Sequence, residues 1–287
     1  MSDWRADSAL DRVEEQRRDP GWVEGLWSDP ATAVLPVGDG RVPVVDGMLV
    51  ASPPSGPHDP QRHLLLGRLD GRPWFAEAGD APAQQTLRSV MDGLSHPELQ
   101  LAFTAVGLVG WHAGAAFCSR CGAPTSVVAG GQARRCVECG RESYPRTDPA
   151  VIVAILDPDG RLLLGRQPSW ATGRHSVFAG FVEMGESLEQ AVHREMAEEV
   201  GLTLTEVRYL GSQPWPFPRS LMVGFVAHSA TTGVVPAEGE IELARWFTIP
   251  DLERALSAEE VTLPPVTSIA RRMIDAWRGG TLSDPRT

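Results

Sequence analysis

Short apolar runs alternate with Gly and Pro through the first part of the chain, which predicts strands and turns. The stretches VPVVDGMLVA, HLLLGRLDG and PWFAE, between residues 31 and 78, predict strands joined by hairpins. LRSVMDGL and the longer run Pro97–Phe117 have apolar residues at helical spacing and predict two helices. We expect residues up to about Gly25 to be poorly ordered or loosely helical. Residues 1–116 are therefore predicted to form a mixed α+β domain.

The second half of the chain alternates strand and helix patterns. VIVAIL and RLLLGR predict a hairpin, HSVFAGF a short strand, and VRYLGSQ, LMVGFVAHSA and ARWFTI further strands. A helix near Ser187–Val200 has Ser187 as its expected N-cap and Gly201 as its end, and a last helix covers about Thr267–Trp277. Interleaved strands and helices favour an α/β/α sandwich over residues 148–280, followed by a tail at 281–287.

Acidic residues cluster on one face of the helix near Ser187–Val200. Glu195, Glu198 and Glu199 are three or four positions apart, so their side chains share that face. Like charges at these spacings destabilise a helix by a few tenths of a kcal/mol per pair, roughly. A hard divalent cation, Mg²⁺ or Mn²⁺, would offset the repulsion and would suit a phosphate-bearing substrate. The alternative is a solvated acidic face.

All the cysteines of the chain lie in two C-x-x-C pairs. The pairs are Cys118 with Cys121 and Cys136 with Cys139, separated by fourteen residues. This spacing predicts a zinc site, and four thiolates complete the tetrahedron, so the zinc is expected to be structural, in a ribbon over residues 117–147. A pair of disulfides and a nucleic-acid-binding ribbon are the alternatives.

Charge and composition limit the classes of partner. The chain has 287 residues and a net charge of −11, so it has no general attraction for nucleic acid or anionic membranes. No apolar run approaches the length of a membrane span, and the N-terminal residues lack the basic-then-apolar layout of a signal peptide. We expect a cytoplasmic protein without a membrane partner.

The run GFVEMGESLEQAVHREMAEEVGL, residues 180–202, matches a longer pattern at every fixed position. The pattern is G, five residues, E, seven residues, R-E, an aliphatic residue, any residue, E-E, any residue, G and an aliphatic residue. It resembles the Nudix box, the signature of hydrolases that cleave a nucleoside diphosphate linked to another group. The resemblance implies a Nudix α/β/α sandwich, here preceded by the zinc ribbon and the mixed N-terminal domain.

A second motif, Ser212–Ser220 (SQPWPFPRS), is called the proline segment below. Its three alternating prolines predict a stiff, extended loop, and its two aromatic rings suit a planar base or nicotinamide. A rigid connector with core-packing aromatics is the alternative. The segment resembles the array found in the NADH pyrophosphatase branch of the Nudix family, also known as NAD-capped RNA hydrolases. The ribbon and the YPR sequence at 144–146 resemble features of the same branch.

This resemblance implies roles for particular residues. The catalytic cations would be held by Glu195, Glu199, the carbonyl of Ala179 and Glu240, with Glu242 as the alternative to Glu240. Catalytic roles fall to Glu195, Glu198, Glu199 and Glu240, with Glu198 or Glu199 as the base. Phe181 and Tyr144 would sandwich the ring, and Tyr144 would come from the partner of a homodimer. The remaining implied substrate contacts are Arg88, Gln213, Pro214, Trp215, Pro216, Phe217, Pro218, Arg219, Ser220 and Ala270.

The implied reaction is hydrolysis of the pyrophosphate of NAD(H) to nicotinamide mononucleotide and AMP. On RNA with a 5′-NAD cap, the same cut would leave a 5′-monophosphate. Rival functions are hydrolysis of another nucleoside diphosphate such as ADP-ribose, a dinucleotide sensor, and a ribbon that binds nucleic acid. The sequence departs from the branch once: residues 122–135 contain no acid where some members have a substrate contact, at about Gly131.

Overall fold

The structure is a computed structural model that describes residues 7–80 and 84–282. Most of the predicted tail, residues 283–287, and the first six residues of the predicted N-terminal domain lie outside the described residues. In the described part, no helix has the length and apolar character needed to cross a membrane.

The N-terminal domain combines two small sheets with three helices. One sheet has the strand order β1-β5-β6-β2 and the other β4-β3-β7. The strands are β1 Leu10–Asp11, β2 Ala33–Val37, β3 Arg41–Val45, β4 Met48–Leu49, β5 His63–Leu69, β6 Arg72–Ala78 and β7 Gln84–Thr86. The helices are α1 Pro20–Trp27, α2 Leu87–Val90 and α3 His96–Gly114. The mixed α+β prediction for this part of the chain agrees with these elements.

Helix α1 covers the end of the segment, up to about Gly25, that was expected to be poorly ordered or loosely helical. The Asp19 side chain caps the helix by accepting from the Gly21 N–H. Val23, Leu26 and Trp27, spaced three and one apart, are buried on one face. The Trp27 ring meets Phe75 edge-on with centroids 5.3 Å apart. The helix is docked rather than loose, because one short apolar stripe, set among many charges, is enough to hold it against the domain.

The zinc ribbon is a three-stranded sheet of order β10-β9-β8. Its strands are β8 Thr125–Val128, β9 Ala133–Cys136 and β10 Glu142–Ser143. Gly131, between β8 and β9, has a φ of +104°, and a Cβ there would lie 3.0 Å from side-chain atoms of Leu64 on β5. Gly131, near the place where some members of the branch have an acid, is therefore packed against the N-terminal domain, and a side chain there would strain the backbone and press on Leu64.

The C-terminal domain is built on a six-stranded sheet of order β14-β15-β11-β12-β16, with β13 also paired to β11. The strands are β11 Asp148–Leu156, β12 Leu162–Arg166, β13 Phe178–Phe181, β14 Leu204–Trp215, β15 Ser220–Ser229 and β16 Leu243–Phe247. The helices are α4 Leu188–Val200, α5 Ile249–Ser257 and α6 Ile269–Arg278. Helix α4 packs on one face of the sheet and α5 and α6 pack on the other, which confirms the α/β/α sandwich.

Two elements differ from the sequence prediction. Helix α5 was not predicted, although Thr248 caps it by accepting from the Asp251 N–H. Strand β14 continues to Trp215, so the first half of the proline segment is strand rather than loop. Pro214 fits there opposite Leu221 because β14 lies at the sheet edge, where a missing N–H leaves no neighbouring strand without a donor.

The core under α4 gives a stability prediction. Phe225 on β15 is 1% exposed, and replacing it with Ala should lower the free energy of unfolding by about 3–5 kcal/mol through lost burial and a cavity. Tyr209 is exposed and contacts Phe225 edge-on at 5.9 Å, so Tyr209→Ala should cost only about 0.5–1.5 kcal/mol. Urea denaturation measures both. Equal decreases in the free energy of unfolding for the two variants would contradict this description of the core.

Candidate active site on the acidic helix

Helix α4 is fixed at both ends by local signals. Ser187 accepts from the Gln190 N–H while the Gln190 side chain accepts from the Ser187 N–H, which makes a capping box. Gly201 ends the helix with a φ of +69°. Ala191, Val192, Met196 and Val200 are buried against the sheet. Because these apolar positions fix the rotation of the helix, its acidic residues are held next to β13.

Glu195 lies against the backbone of Gly180. A Cβ on Gly180 would lie 1.9 Å from Cδ of Glu195 and about as close to both carboxylate oxygens. Only glycine leaves room for the carboxylate at this place. The first residue of the box motif therefore has a direct physical purpose, which is to let β13 and Glu195 approach closely.

Arg194 holds the neighbouring carboxylates in position. Its guanidinium donates to Glu186 at 2.6 Å and to Glu195 and Glu198 at 2.9 Å each. It also donates to the carbonyl of Phe181 at 2.9 Å. The hydrogen bond from Arg194 lowers the pKa of Glu186 to about 2. Arg194 is thus fully engaged within the protein and orients the acids through charge-assisted bonds.

Glu199 is the most buried acid of this group, with 7% of its surface exposed. Its Oε2 atom is buried and has no hydrogen-bond partner among the described residues. Burial first, and then the charges of Glu195, Glu240 and Glu198, raise its pKa to about 8. Burial also raises the pKa of Glu195. We call Glu195, Glu198, Glu199 and Glu240 the acid cluster. A divalent cation is the group that would satisfy a buried oxygen surrounded by negative charge.

Glu240 and Glu242, both in the loop before β16, make different contacts. Glu242 forms an ion pair with Arg166 at 2.8 Å. Glu240 instead acts electrostatically on Glu199, and the loop is tied to α4 by the Ala237 N–H, which donates to the Glu199 carbonyl at 2.9 Å. Of the two glutamates, Glu240 is therefore the one that acts on Glu199. Glu199 and Ala179 both line a small cavity of about 100 Å³.

The proline segment packs against the N-terminal domain. The Trp215 and Phe217 rings meet Phe103 of α3 edge-on, with centroids 6.5 and 6.1 Å apart. The Arg88 guanidinium lies 5.7 Å from the Trp215 centroid and 4.7 Å from that of Phe217. Most of the segment, together with α3, lines a larger cavity of about 720 Å³. The residues of the segment that line it are Ser212, Pro214, Trp215, Pro216, Pro218, Arg219 and Ser220.

Three of the predicted substrate residues are buried: Gln213, Ser220 and Ala270. Gln213 is fully buried; its amide donates to the Thr267 carbonyl at 2.9 Å and accepts from the Ile269 N–H at 2.6 Å. Ala270 is buried in the core under α6. The side chain of Gln213 does not line the larger cavity, and its hydrogen bonds fix the loop that leads into α6. Sequence alone could not reveal this, because the bonds join residues more than fifty positions apart.

The two aromatic residues expected to hold a ring both face solvent. Phe181 is 57% exposed and Tyr144 is 59% exposed. Tyr144 stands at the end of the ribbon, where its hydroxyl donates to Glu142 at 2.6 Å.

Asp148 accepts hydrogen bonds from two arginines, Arg219 of the proline segment at 2.8 Å and Arg146 at 2.7 Å. That shared carboxylate connects the segment to the chain that follows the ribbon.

The cysteines have the geometry of a zinc site. All four Sγ atoms lie within 4.8 Å of one another, and the pairs Cys121–Cys136 and Cys118–Cys139 are 3.5 and 3.8 Å apart. A tetrahedron of Zn–S bonds of ~2.3 Å requires S–S distances of about 3.8 Å. The Arg120 N–H donates to the Cys118 Sγ at 3.4 Å, a bond that favours the thiolate form that binds metal.

Two family models match the chain. The NUDIX domain model matches residues 146–267, and the model of the NADH pyrophosphatase zinc ribbon domain matches residues 115–144. The four clustered cysteines and the ribbon match support a structural zinc ion. A crystal structure of a NUDIX hydrolase from Nitrosomonas europaea is 20% identical, with a TM-score of 0.39, over 51% of this chain and 96% of that chain.

Curated relatives match over most of their length. A protein of Deinococcus radiodurans named NAD-capped RNA hydrolase NudC is 44% identical over 75% of this chain and 77% of its own. The protein of the same name from Mycobacterium bovis is 39% identical over 93% of this chain and 92% of its own. Similarity at this level extends through the N-terminal domain, the ribbon and the catalytic fold. The chain therefore belongs to the Nudix hydrolases and, among them, to the NudC family.

Proposed function

We propose that this protein hydrolyses the pyrophosphate bond of NAD(H) to NMN(H) and AMP, and removes the 5′-NAD cap from RNA to leave a 5′-monophosphate. The observation that carries the proposal is the acid cluster, in which a buried Glu199 oxygen has no partner among the described residues. The names of the relatives support the choice of substrate. With a net charge of −11, RNA would be recognised locally, at its capped end.

Glu195, Glu199, Glu240 and the carbonyl of Ala179 would hold the catalytic cations, Mg²⁺ or Mn²⁺. When bound, such ions neutralise diphosphate charge and lower the pKa of water. The donor set is all oxygen, which suits these hard cations. Glu198, which keeps 59% of its side-chain surface exposed, would accept the proton of the attacking water while Arg194 fixes its position.

Substrate contacts would come from three places. Phe181 and Tyr144 of the partner subunit would stack on the two faces of the nicotinamide or base, which would explain why both rings are exposed in one chain. The protein would therefore act as a homodimer. Arg88 and the residues of the proline segment from Pro214 to Ser220 would line the dinucleotide. Gln213 and Ala270 would act from the interior, by holding the backbone on which that wall depends.

The proposal also fits a cytoplasmic enzyme, since NAD(H) and newly made RNA are present there. The larger cavity lies between α3 and the proline segment, so the N-terminal domain would help to shape the substrate site. This gives the first hundred residues a role beyond stability.

Replacing Glu199 with Gln should lower kcat for NADH with Mg²⁺ by about a hundredfold or more, because one cation ligand and one charge are lost. The exposed Glu189, at the start of α4, provides the control Glu189→Gln, which should retain wild-type turnover. The test measures the hydrolysis rates of the wild type and both variants on NADH, NAD-capped RNA and ADP-ribose. Faster wild-type turnover of ADP-ribose than of either NAD substrate would contradict the proposed specificity.

Adding a single methyl group at Gly180 should displace the Glu195 carboxylate. Gly180→Ala is expected to reduce kcat roughly a hundredfold, as a shift of about 1 Å in a reacting group commonly does. A Cβ on Gly233 meets nothing within 4 Å, so Gly233→Ala is the matched control and should be fully active. Steady-state kinetics on NADH compare the two, and a fully active Gly180→Ala would contradict the role given to this glycine.

The raised pKa of Glu199 predicts the pH dependence of stability in metal-free protein. A carboxyl whose pKa rises from 4.5 to about 8 on folding stabilises the fold only while it is protonated. The free energy of unfolding should therefore fall as pH rises from about 5 to 8, by at most about 1.4 kcal/mol for each step of one in pH. Thermal unfolding with EDTA measures this.

Glu199→Gln should remove most of that pH dependence, whereas Glu189→Gln should retain it. Saturating Mg²⁺ at pH 8 should raise the melting temperature of wild-type protein, since the cation binds the folded state. A metal-free protein equally stable at pH 5 and pH 8 would contradict the buried acid cluster.

A further inference from the structure

Arg174 does not belong to the box motif or to any other set of predicted site residues. Its backbone is nevertheless fixed by hydrogen bonds. It precedes β13 and forms a parallel bridge with Thr262. The Thr262 N–H donates to the Gly173 carbonyl at 2.8 Å, and the His175 N–H donates to the Thr262 carbonyl at 2.9 Å. These bonds fix the direction in which the Arg174 side chain leaves the main chain.

Arg174 is half-buried, and its side chain has no ion-pair partner among the described residues. Its guanidinium lies 5.6 Å from the centroid of the Trp170 ring, and its Nε is buried without a hydrogen-bond partner in the described part of the chain. Arg166, nearby in sequence, has an ion pair with Glu242. Within residues 7–80 and 84–282, no ion pair joins Arg174 to a carboxylate.

A second arginine, Arg88, lies on a segment that is tied to the same loop as Arg174. Burial, and then the charge of Arg174, lower the pKa of Arg88. One loop connects the two positions: Thr262 pairs with Arg174, and the N–H groups of Val266 and Thr267 donate to Asp92, four residues after Arg88. Two cations held near each other repel, and an anion bound by both would offset this cost.

Trp170 connects this pair to the acid cluster. Besides contacting Arg174, Trp170 lines the small cavity that Glu199 and Ala179 also line. On the other side, Arg88 lies over the rings of Trp215 and Phe217 in the proline segment. Arg174 thus contacts a residue of the cavity beside the acid cluster, and Arg88 contacts the rings of the proline segment.

We propose that Arg174, together with Arg88, binds the diphosphate group of the dinucleotide substrate. The Trp170 ring, which the guanidinium of Arg174 contacts, would hold that guanidinium in position. This inference rests on the proposed function, because it assigns the substrate's anionic group to these two side chains. Arginine suits the role, since its planar group donates to two phosphate oxygens at once and stays charged at all working pH values.

The test compares Arg174→Gln with Arg174→Lys and with a matched control. Arg72 also lies over a tryptophan, Trp74, at 5.1 Å, but it belongs to β6 in the N-terminal domain, so Arg72→Gln is the control. Calorimetry in Mg²⁺ measures the binding of ADP and of adenosine, which lacks phosphate. NADH turnover gives KM and kcat for the same proteins.

We expect Arg174→Gln to weaken ADP binding roughly tenfold to a hundredfold while adenosine binding is unchanged, as for loss of a hydrogen bond to a charged group. Arg174→Lys should recover part of the loss, and Arg72→Gln should match the wild type. NADH turnover should show the loss mainly in kcat/KM. Unchanged ADP binding in Arg174→Gln, or equal losses of ADP and adenosine, would overturn the inference.

The two proposals fail in different ways. Suppose that the wild type hydrolyses NADH and that Arg174→Gln equals the wild type in every measurement. This result would reject the role of Arg174 and leave the proposed function intact. A wild type that binds ADP through Arg174 but does not hydrolyse NADH would reject the proposed function and keep the anion site. If the melting temperature of Arg174→Gln equals that of Arg72→Gln, the Arg174→Gln protein is folded.

Discussion

The close approach of Glu195 to the backbone of Gly180 is the constraint on which the site depends. It brings a carboxylate into contact with β13 at a distance that no side chain at position 180 would permit. The neighbouring Glu199 is then buried, with an oxygen that has no partner among the described residues, and Arg194 offsets only part of the negative charge. The fold tolerates this local repulsion because the buried face of α4 packs firmly on the sheet, and a bound cation would complete the compensation.

The other elements extend this site to a substrate of dinucleotide size. The proline segment lies at the edge of the sheet and packs on α3 of the N-terminal domain, and residues of the ribbon also line the larger cavity, which therefore has walls from all three domains. The ribbon, fixed by its four cysteines, holds Tyr144 at the surface. Gln213 joins the edge strand to the loop before α6. In the proposed site, each domain would therefore contribute to the geometry around one reaction centre.

Local signals in the sequence predicted much of this arrangement. The capping residue Ser187, the ending residue Gly201 and the spacing of the acids defined α4 almost to the residue, and the two C-x-x-C pairs defined the ribbon. Features that depend on distant residues were missed. Helix α1 is ordered by packing on β5 and β6, and the burial of Gln213 depends on Thr267. The contact of Arg174 with Thr262 depends on the path of the chain. The ion pair between Glu242 and Arg166, which favours Glu240 in the proposed site, also needed the structure.

The most direct test of the central claim is the position of the cations. A crystal structure of the protein soaked with Mn²⁺, recorded with anomalous scattering, would locate each ion. We predict manganese bound by Glu195, Glu199, Glu240 and the Ala179 carbonyl, at metal–oxygen distances of about 2.0–2.3 Å. Manganese bound elsewhere, with these carboxylates turned apart into solvent, would contradict the claim.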